Sequence, residues 1–157
     1  MSVFTNILLP VDGASTSLRA ARHGIQLAQM LSAKVTVLTV TTPWAAYFAR
    51  ELAVVIPEVV IPKSEYDYKR ETTAACILQH VVAEARLSGV DVRSQHRCHR
   101  DPYQAIIATA EHEGCDLIVM GSDGDTGLVG TLLGSEITKV MTHSPIPVLI
   151  YRRRLAS

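Results

Sequence analysis

Neither sign of charge dominates this sequence: fifteen lysines and arginines face fifteen aspartates and glutamates, so the formal net charge is zero. A protein that binds nucleic acid or an anionic membrane broadly needs a positive excess on some face. The only basic cluster is Arg152-Arg153-Arg154, whose position is typical of a solvated tail. We therefore expect neither nucleic acid nor a membrane surface as a partner.

Cysteine is scarce as well, with three residues, Cys76, Cys98 and Cys115, and no CxxC pair. An odd number of distant cysteines argues against a disulfide framework or a zinc site and fits a reducing compartment. His96, Cys98 and His99 lie close together in sequence. On an extended segment, however, residues 96 and 98 share one face while 99 points to the other. With no evident fourth ligand, we predict no metal site there.

Long hydrophobic runs are absent too. The N-terminus has no basic region followed by an apolar stretch, so no signal peptide is predicted. The longest apolar stretch, residues 52–61, contains Pro57 and Glu58 and is too short to span a bilayer. These absences predict a cytoplasmic protein without membrane insertion.

What the chain does contain is a regular alternation of strand and helix patterns. Its 157 residues fit a single domain, residues 1–157. Apolar or β-branched strand segments alternate with helical periodicities in the order β-α-β-α-β-α-β-α-β, which predicts an α/β fold: an open five-stranded parallel sheet with helices on both faces. The predicted strands are Asn6–Val11, Lys34–Val40, Val90–Cys98, Asp116–Met120 and Val148–Arg152.

The segment from Thr41 to about Ser64 does not follow the alternation. It carries Pro43, Pro57 and Pro62 among apolar residues and shows no clean period. We interpret it as an irregular excursion that contains a short helix. Two roles stay open for it: a flap folded over the sheet edge, or an exposed apolar surface for a partner.

Glycine is concentrated in one place: five of the nine glycines lie between Gly121 and Gly134, directly after the fourth predicted strand. Glycine lets backbone amides approach a ligand closely, so that several N–H groups can converge on phosphate oxygens. Ser135 then opens a predicted helix, whose N-terminus favours an anion. The pattern predicts a phosphate-binding loop, with a flexible surface loop as the alternative. Neither GxxxxGK[ST] nor GxGxxG after the first strand is present.

The loop instead matches G-x2-G-x9-G-[ST], through Gly121, Gly124, Gly134 and Ser135. With ILLPVDG at the start, DLIVMGS before the loop, LLGS after it and SPIPVLIY at the end, the chain resembles the ATP-binding branch of the universal stress protein family. The resemblance implies a Rossmann-like sheet of order 3-2-1-4-5. It also implies ATP, ADP or AMP lying across the tips of strands 1 and 4.

The same resemblance implies the residues of the site. Those at the ends of the first two strands would border the base and ribose, those at the end of the fourth would lie beneath the nucleotide, and the later glycines with the serine would meet the ribose and phosphates. The candidate binding residues are Pro10, Val11, Asp12, Val40, Met120, Gly121, Ser122, Gly124, Gly134, Ser135 and Glu136.

Three carboxylates depart from the family pattern: Asp123, Asp125 and Glu136. Two unit charges about 5 Å apart repel by about 3 kcal/mol at an effective dielectric constant near 20, so these groups should oppose a triphosphate. Either they point outward, or a divalent cation bridges them to the phosphates. We predict that affinity for ATP depends on Mg²⁺.

The last strand is an edge in the order 3-2-1-4-5, and its apolar side chains predict pairing with a second copy. The family commonly dimerises in this way, so we expect a homodimer through Val148, Leu149 and Ile150.

No catalytic set is evident, and we expect a regulatory or stress-response binding module rather than an enzyme. Two alternatives stay open: an interaction protein of the same fold without nucleotide, and a slow metal-dependent ATPase.

Overall fold

A computed structural model describes residues 2–51, 61–122 and 132–152. Five strands and five helices lie in these ranges, and two of the helices fall between the second and third strands. None of these helices is both long enough and apolar enough to cross a bilayer. The elements are β1 (Asn6–Pro10), α1 (Ser15–Leu31), β2 (Lys34–Thr41), α2 (Trp44–Glu51), α3 (Lys63–Leu87), β3 (Val92–Cys98), α4 (Pro102–His112), β4 (Leu117–Ser122), α5 (Leu132–His143) and β5 (Val148–Arg152).

The strands form one sheet in the order β3-β2-β1-β4-β5, and every neighbouring pair is parallel. This confirms the predicted Rossmann-like order 3-2-1-4-5. The chain runs from β1 outward to β3, then returns to the other side of β1 for β4 and β5. The strand order therefore reverses between β1 and β4, the place where open parallel sheets bind ligands.

Alternate residues of the central strands are buried in two separate cores, one on each face of the sheet, because successive side chains point to opposite faces. Ile7 and Leu9 of β1 pack with residues of α1 and α3. Leu8, between them, packs with residues of α4 and α5. All five residues of β1 are buried, as expected for a central parallel strand covered on both sides.

Two predicted boundaries near the glycine-rich stretch are wrong. β4 continues past Met120, because Gly121 and Ser122 pair with Tyr151 and Arg152 of β5. The fifth helix begins at Leu132 rather than at Ser135. The stretch between strand and helix is therefore shorter than the glycine pattern predicts, and its ends belong to regular elements.

The Asp116 side chain, just before β4, is hydrogen-bonded to the start of β1. Its Oδ1 accepts hydrogen bonds from the Thr5 and Asn6 N–H groups at 3.1 and 3.0 Å, and its Oδ2 accepts from the Thr5 N–H and hydroxyl at 2.9 Å each. Burial alone raises the pKa of Asp116, but the bonds from Asn6 and Thr5 together outweigh it and hold the pKa below its ordinary value. The carboxylate thus fixes the two strands whose other ends form the candidate site.

The depressed pKa of Asp116 predicts a pH dependence of stability. The contribution of the Asp116 carboxylate to the free energy of unfolding is complete above the unfolded-state pKa, about 3.9. It is lost as pH falls through the lower folded-state pKa. Asp116→Asn should lower the free energy of unfolding at neutral pH by about 1.5–3 kcal/mol, the scale of a hydrogen bond to a charged group. Urea melts at neutral and acidic pH provide the measurement. We expect the difference between variant and wild type to shrink with acidity, and a constant difference would contradict the assignment.

Candidate functional site

The carboxyl ends of β1 and β4 lie side by side. Ile7 pairs with Leu117 and Leu8 with Ile118, and continuing this parallel register places Pro10 beside Met120. On its other side Pro10 pairs with Leu38 of β2. The topology therefore brings the end of β1 to the ends of β2 and β4, as the candidate site requires.

Asp12 forms a tight turn between β1 and α1. Its Oδ1 accepts a hydrogen bond from the Ala14 N–H at 3.0 Å, and its own N–H donates to Ser17 Oγ at 3.2 Å. Gly13 has φ +86°, a left-handed conformation that favours glycine. The half-buried Asp12 carboxylate is thus held just beyond the carboxyl end of β1, before the first turn of α1.

Three of the candidate residues have side chains that belong to the core. Val11 is 1% exposed and packs on the α1–α3 side, while its N–H donates to Leu38 O at 2.8 Å. Val40 and Met120 are buried on the α4–α5 side. The side chains of these residues support the carboxyl ends of the strands from within the core.

Gly121 has a packing role that the glycine pattern does not reveal. A Cβ atom at this position would lie 2.6 Å from the Thr16 carbonyl oxygen and 3.0 Å from Ala20 Cβ. Only a residue without a side chain lets α1 approach β4 this closely. Gly121 is therefore required by the seating of α1 on the sheet, whatever binds above it.

The remaining candidate residues of the glycine-rich stretch fall into three groups. Gly124, like Asp123 and Asp125, lies outside the described residues. Gly134 and Ser135 lie in the first turn of α5, where backbone N–H groups lack acceptors within the helix. Ser122 is half-buried at the last position of β4. The end of β4 and the beginning of α5 thus bracket the glycine-rich stretch.

Glu136 lies one residue beyond Ser135 and is 4% exposed. Its Oε2 accepts a hydrogen bond from the Tyr103 N–H at 3.0 Å, and its Oε1 lies 3.3 Å from Lys139 Nζ. The Asp101 side chain, at the N-cap position before Pro102, makes no capping hydrogen bond. The carboxylate that the sequence places beside the phosphates is therefore bound to the start of α4.

Sequence reasoning missed a cluster of aromatic residues after β2. The Tyr66 hydroxyl donates to Thr42 O at 2.7 Å, and the Tyr47 ring lies 5.3 Å from the Tyr66 ring. The Arg70 guanidinium stands over both rings, at 5.3 and 5.1 Å, and burial raises the pKa of Tyr66. The predicted short helix of this segment is α2, but residues 52–60 lie outside the described ranges. No periodic signal reveals the cluster, because its members come from two helices and a loop.

No group of three or more histidine, cysteine or acidic residues that could hold a metal ion occurs in the described part of the chain. His23 of α1 stacks on Tyr151 of β5 with ring centroids 4.3 Å apart. The candidate site lies at the carboxyl ends of β1 and β4, together with the start of α5.

Comparison with known proteins identifies this architecture. The model of the universal stress protein family matches residues 4–152. Universal stress protein MJ0531 of Methanocaldococcus jannaschii is 31% identical over 154 residues, which cover 97% of this chain and 84% of the relative. Universal stress protein YxiE of Bacillus subtilis is 30% identical over 151 residues, 96% of this chain and all of the relative.

Solved structures agree with the sequence comparison. The structure of MJ0577 from M. jannaschii superposes with a TM-score of 0.74 at 27% identity, covering 97% of this chain and 98% of the other. A universal stress protein in complex with cAMP superposes with a TM-score of 0.65 at 25% identity, covering 96% and 98%. The similarity thus extends over nearly the whole length of each protein.

Proposed function

The chain belongs to the universal stress protein family, and from this premise we propose that it binds ATP across the carboxyl ends of β1 and β4. The observation that supports the proposal is that the Asp12 turn and the end of β4 lie at the point where the strand order reverses, with α5 following β4 in the chain. The cAMP complex of a similar protein supports an adenine nucleotide as the ligand class. In this proposal the protein is a regulatory module whose nucleotide state alters its contacts with partners.

Each part of the candidate site, at the carboxyl ends of the strands and the start of α5, has a proposed role. The Asp12 carboxylate, oriented by the Ala14 N–H, faces the ribose. The backbone at Pro10, Val11 and Val40 borders the base, because the side chains there are buried, and Met120 lies beneath the nucleotide. The phosphates lie at the end of β4 and the start of α5, with Gly121, Ser122, Gly124, Gly134 and Ser135 around them.

Mg²⁺ is part of the proposal because Asp123 and Asp125 lie in the glycine-rich stretch. Glu136 is already paired with Lys139 and the start of α4, so two carboxylates rather than three remain to be offset by the cation. One carboxylate–phosphate repulsion of about 3 kcal/mol corresponds to roughly two orders of magnitude in affinity.

Calorimetric titration with ATP tests the function. With Mg²⁺ present, we expect saturable heat at one nucleotide per chain, and with EDTA we expect affinity at least about tenfold weaker. Equal affinity in both buffers would remove the cation from the proposal. Absence of heat for ATP, ADP and AMP alike would leave an interaction protein of the same fold.

We also propose a homodimer through β5, an outer strand of the described sheet. Leu149 is 43% exposed, whereas Val148 and Ile150 pack against the core. Pairing β5 with its copy would cover Leu149 and the unpaired strand edge. Light scattering should give twice the 17.1 kDa chain mass.

Leu149→Lys should give a monomer, because it would replace the apolar side chain to be covered by a charged one in each subunit. Met141→Lys, on α5 and 57% exposed, is the control and should stay dimeric. A wild-type monomer at micromolar concentration would refute the dimer without bearing on nucleotide binding.

A further inference from the structure

The start of α4 depends on a side chain from another helix. Pro102, the first residue of α4, has no N–H group, so the first donor of the helix is the Tyr103 N–H. The Gln104 N–H donates to Asp101 O at 3.0 Å, whereas the Tyr103 N–H donates to Glu136 Oε2, also at 3.0 Å. Glu136 of α5 therefore takes the place of an N-cap side chain, which Asp101 does not provide.

The Glu136 carboxylate is held in this place by burial and charge. With 4% of the residue exposed, it has little water to replace a lost partner. Lys139 Nζ lies 3.3 Å from its other oxygen and 5.7 Å from the centre of the Tyr103 ring. Turning the carboxylate away would leave the Tyr103 N–H unpaired and disrupt the ion pair, and a buried charge without partners is costly.

The same contact fixes the beginning of α5. Glu136 follows Ser135 directly and lies two residues after Gly134, less than one helical turn away. The backbone N–H groups proposed to meet the phosphates therefore belong to a turn that Glu136 joins to α4. Tyr103 and His143 reinforce the helix pair, with ring centroids 5.4 Å apart.

We propose that Glu136 is a positioning residue for the nucleotide: by capping α4 it holds the first turn of α5 where the phosphates bind. The inference rests on the proposed function, and it reverses the sign of the effect that a carboxylate beside a triphosphate suggests. If Glu136 repelled the phosphates, its removal would strengthen ATP binding. Because it positions the turn, its removal weakens binding.

The test compares two replacements of Glu136. Glu136→Ala removes the cap and should weaken ATP binding about tenfold, in line with the loss of one capping interaction. Glu136→Gln keeps an oxygen that can accept from the Tyr103 N–H, and its affinity should stay within about threefold of wild type. Glu113→Ala is the control, since it removes a half-buried carboxylate just beyond the far end of α4; it should leave ATP affinity unchanged.

Amide hydrogen exchange without nucleotide separates this inference from the proposed function. In Glu136→Ala the Tyr103 amide should exchange at least about tenfold faster than in wild type, with protection restored in Glu136→Gln. If wild type binds no nucleotide but the exchange follows this pattern, the nucleotide proposal fails and the capping contact stands. Unchanged exchange at Tyr103, or an ATP affinity in Glu136→Ala that equals or exceeds wild type, would overturn the positioning role.

Discussion

Gly134→Asp should weaken ATP binding about a hundredfold, because a new carboxylate about 5 Å from a phosphate costs about 3 kcal/mol at an effective dielectric constant near 20. Gly134 lies in the first turn of α5, where the proposal places the phosphates. The helix itself should tolerate the change, since aspartate near a helix N-terminus is favourable. The expected loss is therefore one of affinity, with the melting temperature close to that of wild type.

Thr138→Asp is the matched control. Thr138 is exposed on the same helix, one turn after Gly134, so the same charge is added about 6 Å farther along the axis. Screening at physiological salt acts over about 8 Å, and the affinity should fall by no more than about fivefold. Equal losses in the two variants would show that net charge alone governs binding and would remove the start of α5 from the site.

Gly121→Ala should destabilise the fold by about 3 kcal/mol, the upper part of the usual range for overpacking a core. The added methyl group would lie 2.6 Å from the Thr16 carbonyl oxygen. Because that atom belongs to the backbone of α1, the helix must move away from the sheet to admit it. Gly121→Val adds two more carbons and should prevent accumulation of folded protein, since total stabilities are only about 5–15 kcal/mol.

Thermal melts measure the effect. A loss of 3 kcal/mol corresponds to about 6–12 °C for a chain of this size. Ser122→Ala, at the next position of β4 and half-buried, should shift the melting temperature by less than half of that. A Gly121→Ala protein as stable as wild type would show that α1 does not require this close approach.

Much of the fold could be predicted because its signals are local. The buried strands are short apolar runs, such as residues 6–10 and 117–120, and the helices show repeats of three and four residues. Alternation of the two then restricts the topology to a covered parallel sheet. The order 3-2-1-4-5 came from the family resemblance, and the strand pairing confirms it.

The boundaries and contacts around the site could not be predicted, because they depend on neighbours distant in sequence. Gly121 was interpreted as part of a loop, yet it belongs to β4 because it pairs with Tyr151 of β5. It must also lack a side chain, because a Cβ atom there would collide with the Thr16 carbonyl oxygen of α1. Glu136 was interpreted as an obstacle to phosphate, yet it binds an amide 33 residues earlier in the chain. Composition and spacing carry no information on such pairs.

A crystal structure of the chain grown with ATP and Mg²⁺ would show directly whether and where the nucleotide binds. We expect a nucleotide across the carboxyl ends of β1 and β4, with its ribose at Asp12 and its phosphates against the first turn of α5. A nucleotide bound elsewhere, or an empty edge at saturating ATP, would contradict it.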